Sequence, residues 1–305
     1  MSALNDDRKN GFMKRRVEAD EAETRRQERR LREALIESRS VTAESETDSD
    51  RALAPVDEAP FPLAMRDSWP FLPVLHADPD TLDRHLVITA RRRDPAHAAF
   101  DVLRGRMMQA LNDHHWYRVG ITSPTRGCGK SFTAINLAIS LSRFEGWRTV
   151  LLEMDLRHSS LASMLGVQSP ANAADFLRGS IAPAAYLRKL ATGENGIGDS
   201  LAIGLNGRSE AFPAELFQRP ESAEALARIQ AEMRPNVVLY DLPPALAQDD
   251  VLSMRQHLDC MLVVVGGGTT NATELREMVR RLGDDLPILG VVLNNGEPVH
   301  PYGYS

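Results

Sequence analysis

The residues of this chain best suited to chemistry lie in Ser123-Pro124-Thr125-Arg126-Gly127-Cys128-Gly129-Lys130-Ser131. Glycines at 127 and 129 let backbone N–H groups turn towards an anion, and a helix opening just after them adds the positive end of its dipole. Lys130 can then reach the terminal phosphates of a nucleoside triphosphate, and the Ser131 hydroxyl can ligate Mg²⁺. The expected nucleotide contacts are Thr125, Arg126, Gly127, Cys128, Gly129, Lys130, Ser131 and Phe132. The first glycine of the usual phosphate-loop pattern would fall at Pro124. Three acids follow apolar runs: Glu153 and Asp155 after Thr149-Val150-Leu151-Leu152, and Asp241 after Val237-Val238-Leu239-Tyr240. Mg²⁺ keeps several waters and phosphate oxygens, so Ser131, Asp155 and Asp241 suffice as its protein ligands. Glu153, two residues from Asp155 and on the same face of a strand, is the candidate to orient or deprotonate a nucleophile. Of the five tyrosines, Tyr302 and Tyr304 lie in the last four residues, beside Pro301 and Gly303, as possible phosphate acceptors.

These groups need strands that end beside one another. Val119 and Ile121 alternate before the loop, and Ala134, Leu137, Ala138 and Leu141 follow at helical spacing. Continuous apolar runs at 149–153, 237–241, 261–265 and 288–293 read as buried parallel strands. Helical segments at 221–233 and 272–282 lie between them. The alternation predicts an α/β fold, a doubly wound parallel sheet of phosphate-loop NTPase type whose ligands sit at the C-terminal strand ends. Phe100, Leu103, Met107 and Leu111 mark one face of an earlier helix, with Asp94 and Pro95 as its cap and first position. The adjacent His114 and His115 diverge too far to form a metal pair.

Outside that region the composition changes. Residues 14–33 hold 14 charged side chains among 20, without the apolar heptads of a coiled coil, and read as a solvated helix or a disordered arm. Residues 40–80, with prolines at 55, 60, 62, 70, 73 and 79, read as a linker whose Phe61, Trp69, Phe71 and Leu72 form a short docking motif or, the preferred reading, pack on the folded part. The expected division is a flexible arm at 1–85, a nucleotide-binding domain at 86–298 and a short tyrosine-containing tail at 299–305. A net charge of −6 over 305 residues argues against a general nucleic-acid binder. Two cysteines make no disulfide framework and point to a reducing cytoplasm. No apolar run approaches the roughly 20 residues of a membrane span, and the N-terminus lacks the apolar core of a secretory signal.

With these motifs placed, the region from about 92 to 305 resembles the bacterial tyrosine kinases of capsule and exopolysaccharide synthesis. The phosphate loop, with its proline at 124, is similar to that family's. So are Leu151-Leu152-Glu153-Met154-Asp155-Leu156-Arg157, Asp241-Leu242-Pro243-Pro244 and the terminal Tyr302-Gly303-Tyr304. Asp175-Phe176-Leu177-Arg178-Gly179, Phe212-Pro213-Ala214-Glu215-Leu216 and Leu289-Gly290-Val291-Val292-Leu293-Asn294 look like further landmarks. The resemblance implies ATP- and Mg²⁺-dependent phosphorylation of Tyr302 and Tyr304 between neighbouring subunits of a homo-oligomer. It implies a cytoplasmic protein recruited to the inner face of the membrane by a polysaccharide co-polymerase-type activator. It also implies that Lys130 and the loop amides hold the phosphates, that Asn294 lies near the adenine and that position 153 takes the tyrosine proton. The family's aspartate at that position is Glu153 here, the tyrosine tail is sparse, and of its oligomer motif, falling on Ala98, Asp101 and Arg104, only Arg104 matches. Two other readings stand beside this one: an ATP-switched regulatory subunit without transfer activity, and a partitioning or division ATPase, whose signature lysine would fall at Thr125.

Overall fold

Short apolar runs alternating with helices build one eight-stranded sheet in the computed structural model, which describes residues 67–87, 89, 96–191 and 200–296. The charged arm at 14–33, Phe61, Arg91 to Pro95 and the tail with Tyr302 and Tyr304 lie outside the described residues. The strands are β1 (Val74–His76), β2 (Arg118–Thr122), β3 (Thr149–Glu153), β4 (Arg188–Ala191), β5 (Leu201–Gly204), β6 (Val237–Asp241), β7 (Cys260–Gly266) and β8 (Ile288–Asn294). Their order is β1-β4-β5-β3-β6-β2-β7-β8. β2, β3, β6 and β7 are apolar on both faces and almost entirely buried, as central parallel strands must be when helices cover both sides.

Every neighbouring pair is parallel except β4 and β5. Only nine residues separate those two strands in the chain. A parallel connection takes a crossover of about a dozen residues or more, so this link can only turn back. The parallel sheet expected from the sequence thus holds two reversed strands at one edge, β4 and the β1 that runs parallel to it.

Described elements lie ahead of the expected boundary at 86. Trp69–Phe71 forms a 3-10 turn, β1 pairs with β4, and the helix Pro79–Arg84 is capped by Asp78. Trp69 and Leu72 are buried, as expected of that aromatic cluster, whereas Phe71 is exposed. The Arg148 guanidinium stacks 5.3 Å from the Trp69 ring centroid and pairs with Asp67 at 2.7 Å. Proline-rich composition hid this segment because a three-residue edge strand has no periodicity to read.

The helix Ala96–His114 buries Phe100, Met107 and Leu111 along the expected face. It ends where His115 turns to φ +56° and His114 stacks on Trp116. Arg104, the one expected match to an oligomer motif, donates to the carbonyl and hydroxyl of Ser140 and pairs with Asp101 at 2.7 Å, contacts within its own chain. The helices Pro220–Met233 and Ala272–Leu282 match the segments read from spacing. The second of these lies in a different packing unit from the sheet; Asn271 and Glu274 close a reciprocal capping box at its start.

Candidate nucleotide site

β2 runs at the centre of the sheet between β6 and β7, so the loop leaving its C-terminal end meets the ends of both. The chain turns through Ser123–Gly129 into the helix Lys130–Ser142, whose N-cap, Gly129, has φ +87°. Gly127 has φ +80° and open space around it, so only backbone conformation requires glycine there. At Gly129 a Cβ would stand 1.9 Å from Asn294 Nδ2. That amide, at the tip of β8, donates to the Cys128 carbonyl at 3.0 Å and braces the loop from the side. Cys128 is buried, its thiol donating to the Thr125 carbonyl and lying 3.3 Å from the Thr270 hydroxyl. Pro124, which has no N–H to offer, accepts from Leu246 N, and Ser123 O accepts from Ala245 N. The segment after Asp241 is thereby zipped to the start of the loop.

Behind the loop stand the three acids. Lys130 Nζ lies 2.9 Å from Asp155 Oδ2 and 3.9 Å from Asp241 Oδ1. Burial opposes the Lys130 charge, but Asp241, Asp155 and Glu153 outweigh it and raise the ammonium pKa. Asp241 is fully buried, and neither carboxylate oxygen has a hydrogen-bond partner of normal geometry. Burial pushes its pKa up against the pull of Lys130 and the Ser131 hydroxyl. An unpartnered buried carboxylate is costly unless a cation answers it. Ser131, at the first turn of the helix, is also buried, so Ser131, Asp155 and Asp241 fit Mg²⁺ as a partial shell. Among the described residues there is no group of three or more His, Cys, Asp or Glu placed to hold a metal ion.

Glu153 differs. It ends β3 in register with Asp241, yet Oε1 accepts from Ser160 N at 2.5 Å and Leu161 N at 2.8 Å, and Oε2 from Asn206 N at 3.0 Å. The side chain is fully buried, and burial pushes its pKa up to about 7 against those three donors. Arg157 forks onto Asp250 through Nε at 2.9 Å and Nη2 at 3.3 Å, and donates to the Ala211 carbonyl. At the mouth, Arg126 Nη2 lies 3.2 Å from His158 Nε2, and His158 N–H donates to Asp155 Oδ1 at 3.1 Å. The sequence reading did not single out Arg157's anchor Asp250, His158 or Asn206. Of these, His158 alone carries a sequence signal, being three residues past a candidate metal ligand.

Lys130, Ser131, Asp155 and Asp241 are therefore gathered in one place with Thr125–Gly129 around them, while Asn294 approaches from β8 and Glu153 faces the backbone. No helix among the described residues is long and apolar enough to cross a membrane.

Comparison with known proteins agrees with this arrangement. Residues 119–300 match the family described as the CobQ/CobB/MinD/ParA nucleotide binding domain. The chain is 30% identical over 231 residues to a protein named putative tyrosine-protein kinase EpsB of Ralstonia solanacearum, covering 74% of this chain and 29% of that one. It therefore spans less than a third of that relative's length. Among solved structures, the VpsO kinase domain superposes with a TM-score of 0.55 at 27% identity, over 65% of this chain and 95% of that one. The BceF tyrosine kinase domain does so with a TM-score of 0.59 at 25% identity, over 75% and 93%. The likeness to bacterial tyrosine kinases read from the motifs is borne out, and so is the fold.

Proposed function

We propose, from the premise that this chain belongs to the CobQ/CobB/MinD/ParA nucleotide-binding domain family, that it is an ATP-dependent protein-tyrosine autokinase acting in exopolysaccharide or capsule synthesis and export. The observation that carries the reading is the Lys130–Asp155–Asp241 cluster behind the phosphate loop, with one buried carboxylate that no hydrogen bond satisfies. Names and folds of the relatives supply the reaction class.

In this reading Lys130 exchanges its contact with Asp155 for the terminal phosphates, which the N–H groups of the loop also hold. Asp241, Asp155 and the Ser131 hydroxyl hold Mg²⁺, which when bound neutralises charge spread over the transferring phosphoryl group. Arg126, Cys128 and Phe132 flank the nucleotide, and Asn294 keeps the loop in shape beside the adenine. Asp155 orients the entering hydroxyl from a loop anchored by Arg157. Tyr302 and Tyr304 are the acceptors, presented to a neighbouring copy of the chain. The protein works in the cytoplasm and is recruited to the membrane by a co-polymerase-type activator.

Phosphopeptide mass spectrometry of the C-terminal peptide, from cells making polysaccharide, tests this. Phosphate on Tyr302 or Tyr304 that is lost in both Lys130→Met and Asp241→Asn is the expected result. An unmodified tail in such cells overturns the autokinase reading in favour of an ATP-switched regulatory subunit.

A further inference from the structure

Building on the reading of this site as a phosphotransfer centre, we infer that Glu153 is a positioning residue that clamps the acidic loop, and that it is not the group that takes the acceptor's proton. Both of its oxygens are already engaged, one by Ser160 N and Leu161 N, the other by Asn206 N. With no exposed surface and both oxygens held by backbone donors, the carboxylate is closed to an entering hydroxyl unless the loop opens. A base must come within hydrogen-bond reach of the proton it abstracts.

The clamp has a definite object. Met154 N donates to Asp241 O at 2.8 Å, which fixes the first residue of the loop 154–160 to β6. Glu153 then fixes its last residue, because Ser160 and Leu161 open the helix Leu161–Leu165. Asn206 extends the lattice: its Nδ2 donates to Ser159 Oγ at 2.9 Å and to Arg208 O at 2.8 Å, and its Oδ1 accepts from Ala173 N. Asp155, the partner of Lys130, sits inside the segment held at both ends. Its place beside the phosphate loop is thus set by Glu153.

Length explains why glutamate serves here. Aspartate is one methylene shorter and, from the same Cα, cannot reach both the helix start and Asn206, two residues beyond β5. Glu153 and Asp241 stand at matching positions on adjacent strands. The first has both oxygens held by backbone donors, and the second has no hydrogen-bond partner, only Lys130 at 3.9 Å. The two carboxylates divide the work: one holds the backbone, the other is left for a cation.

The two roles predict opposite results for Glu153→Asp, which installs the residue the kinase resemblance leads one to expect. The full chain would be compared as wild type, Glu153→Asp and Glu153→Gln. Readouts are amide hydrogen exchange at Ser160, Leu161 and Asn206, affinity for a fluorescent ATP analogue with Mg²⁺, and phosphotransfer to the tail. For the clamp, Glu153→Asp speeds exchange at these amides about tenfold or more, as loss of a charge-assisted hydrogen bond would. Nucleotide affinity and transfer fall together. Glu153→Gln keeps a carbonyl for Ser160 and Leu161 but turns an NH₂ towards Asn206, so the Asn206 amide alone loses protection. Amides that stay protected in Glu153→Asp, with transfer equal to or above wild type, overturn the clamp. Absence of transfer in every protein, wild type included, would count against the autokinase reading, while exchange and nucleotide affinity would still decide the role of Glu153.

Discussion

Lys130 is the sole cation between two buried carboxylates in the contacts described around it, so its removal reads out electrostatics as well as catalysis. Replacing it by Met leaves Asp155 and Asp241 buried without their counter-charge. Breaking such a pair from one side costs about 3–5 kcal/mol. In metal-free buffer, urea unfolding of Lys130→Met should show a loss of that order, and adding Asp241→Asn should recover part of it. A Lys130→Met protein as stable as wild type would mean the acids do not depend on the lysine. The two loop glycines make a second test at this scale. Gly127→Ala meets open space and only the backbone penalty of a positive φ, about 1–2 kcal/mol. Gly129→Ala carries the same penalty and also collides with Asn294, which must let go of the Cys128 carbonyl. Titration with a fluorescent ATP analogue should therefore show Gly129→Ala weakened well beyond Gly127→Ala; equal losses would remove Asn294 as a brace.

Between residue and whole molecule, the segment at 67–84 behaves as part of the domain, although it lies in a stretch whose composition reads as linker. Trp69 is 4% exposed and lies against Arg148, so Trp69→Ala should cost about 3–5 kcal/mol in urea unfolding, the range for a buried aromatic. A change below about 0.5 kcal/mol would show that the segment only rests on the surface. The same contrast explains which elements were legible. β3, β6, β7 and β8 are continuous apolar runs bounded by polar groups, β2 alternates at Val119 and Ile121, and the helices Ala96–His114, Pro220–Met233 and Ala272–Leu282 repeat at 3.6 residues, so local pattern and tertiary role agree. β1, β4 and β5 are three or four residues long and stand to one side of β3, where pairing partners and not periodicity make them strands. The site divides similarly. Glycine, lysine and the acids at strand ends carry their chemistry in type and spacing. The hydrogen bonds of Glu153 join it to residues 7, 8 and 53 positions away, and no spacing announces those partners.

For the molecule as a whole, stability should respond to pH through a group far from the phosphate loop. His257 is buried; burial lowers its pKa, with the Arg118 charge adding to that and the hydrogen bond to Phe217 O opposing it. The unfolded chain then binds a proton more readily than the folded one, so this contribution is complete above about pH 6.5 and is lost as pH falls towards the lower folded value. Unfolding free energies at pH 7.5 and 5.5 should differ more for wild type than for His257→Gln; the same difference in both would exclude the histidine as the cause. Sheet order has a separate consequence, for synthesis on the ribosome. β2 is made before its two neighbours, β6 and β7, which come more than a hundred residues later, with Asn294 later still. At about 5–20 residues per second, roughly 7–27 s separate translation of Lys130 from that of Gly266. For that interval the phosphate loop has been made without the strands that flank it, so nascent chains reach nucleotide competence only after β7 and Asn294 have been translated.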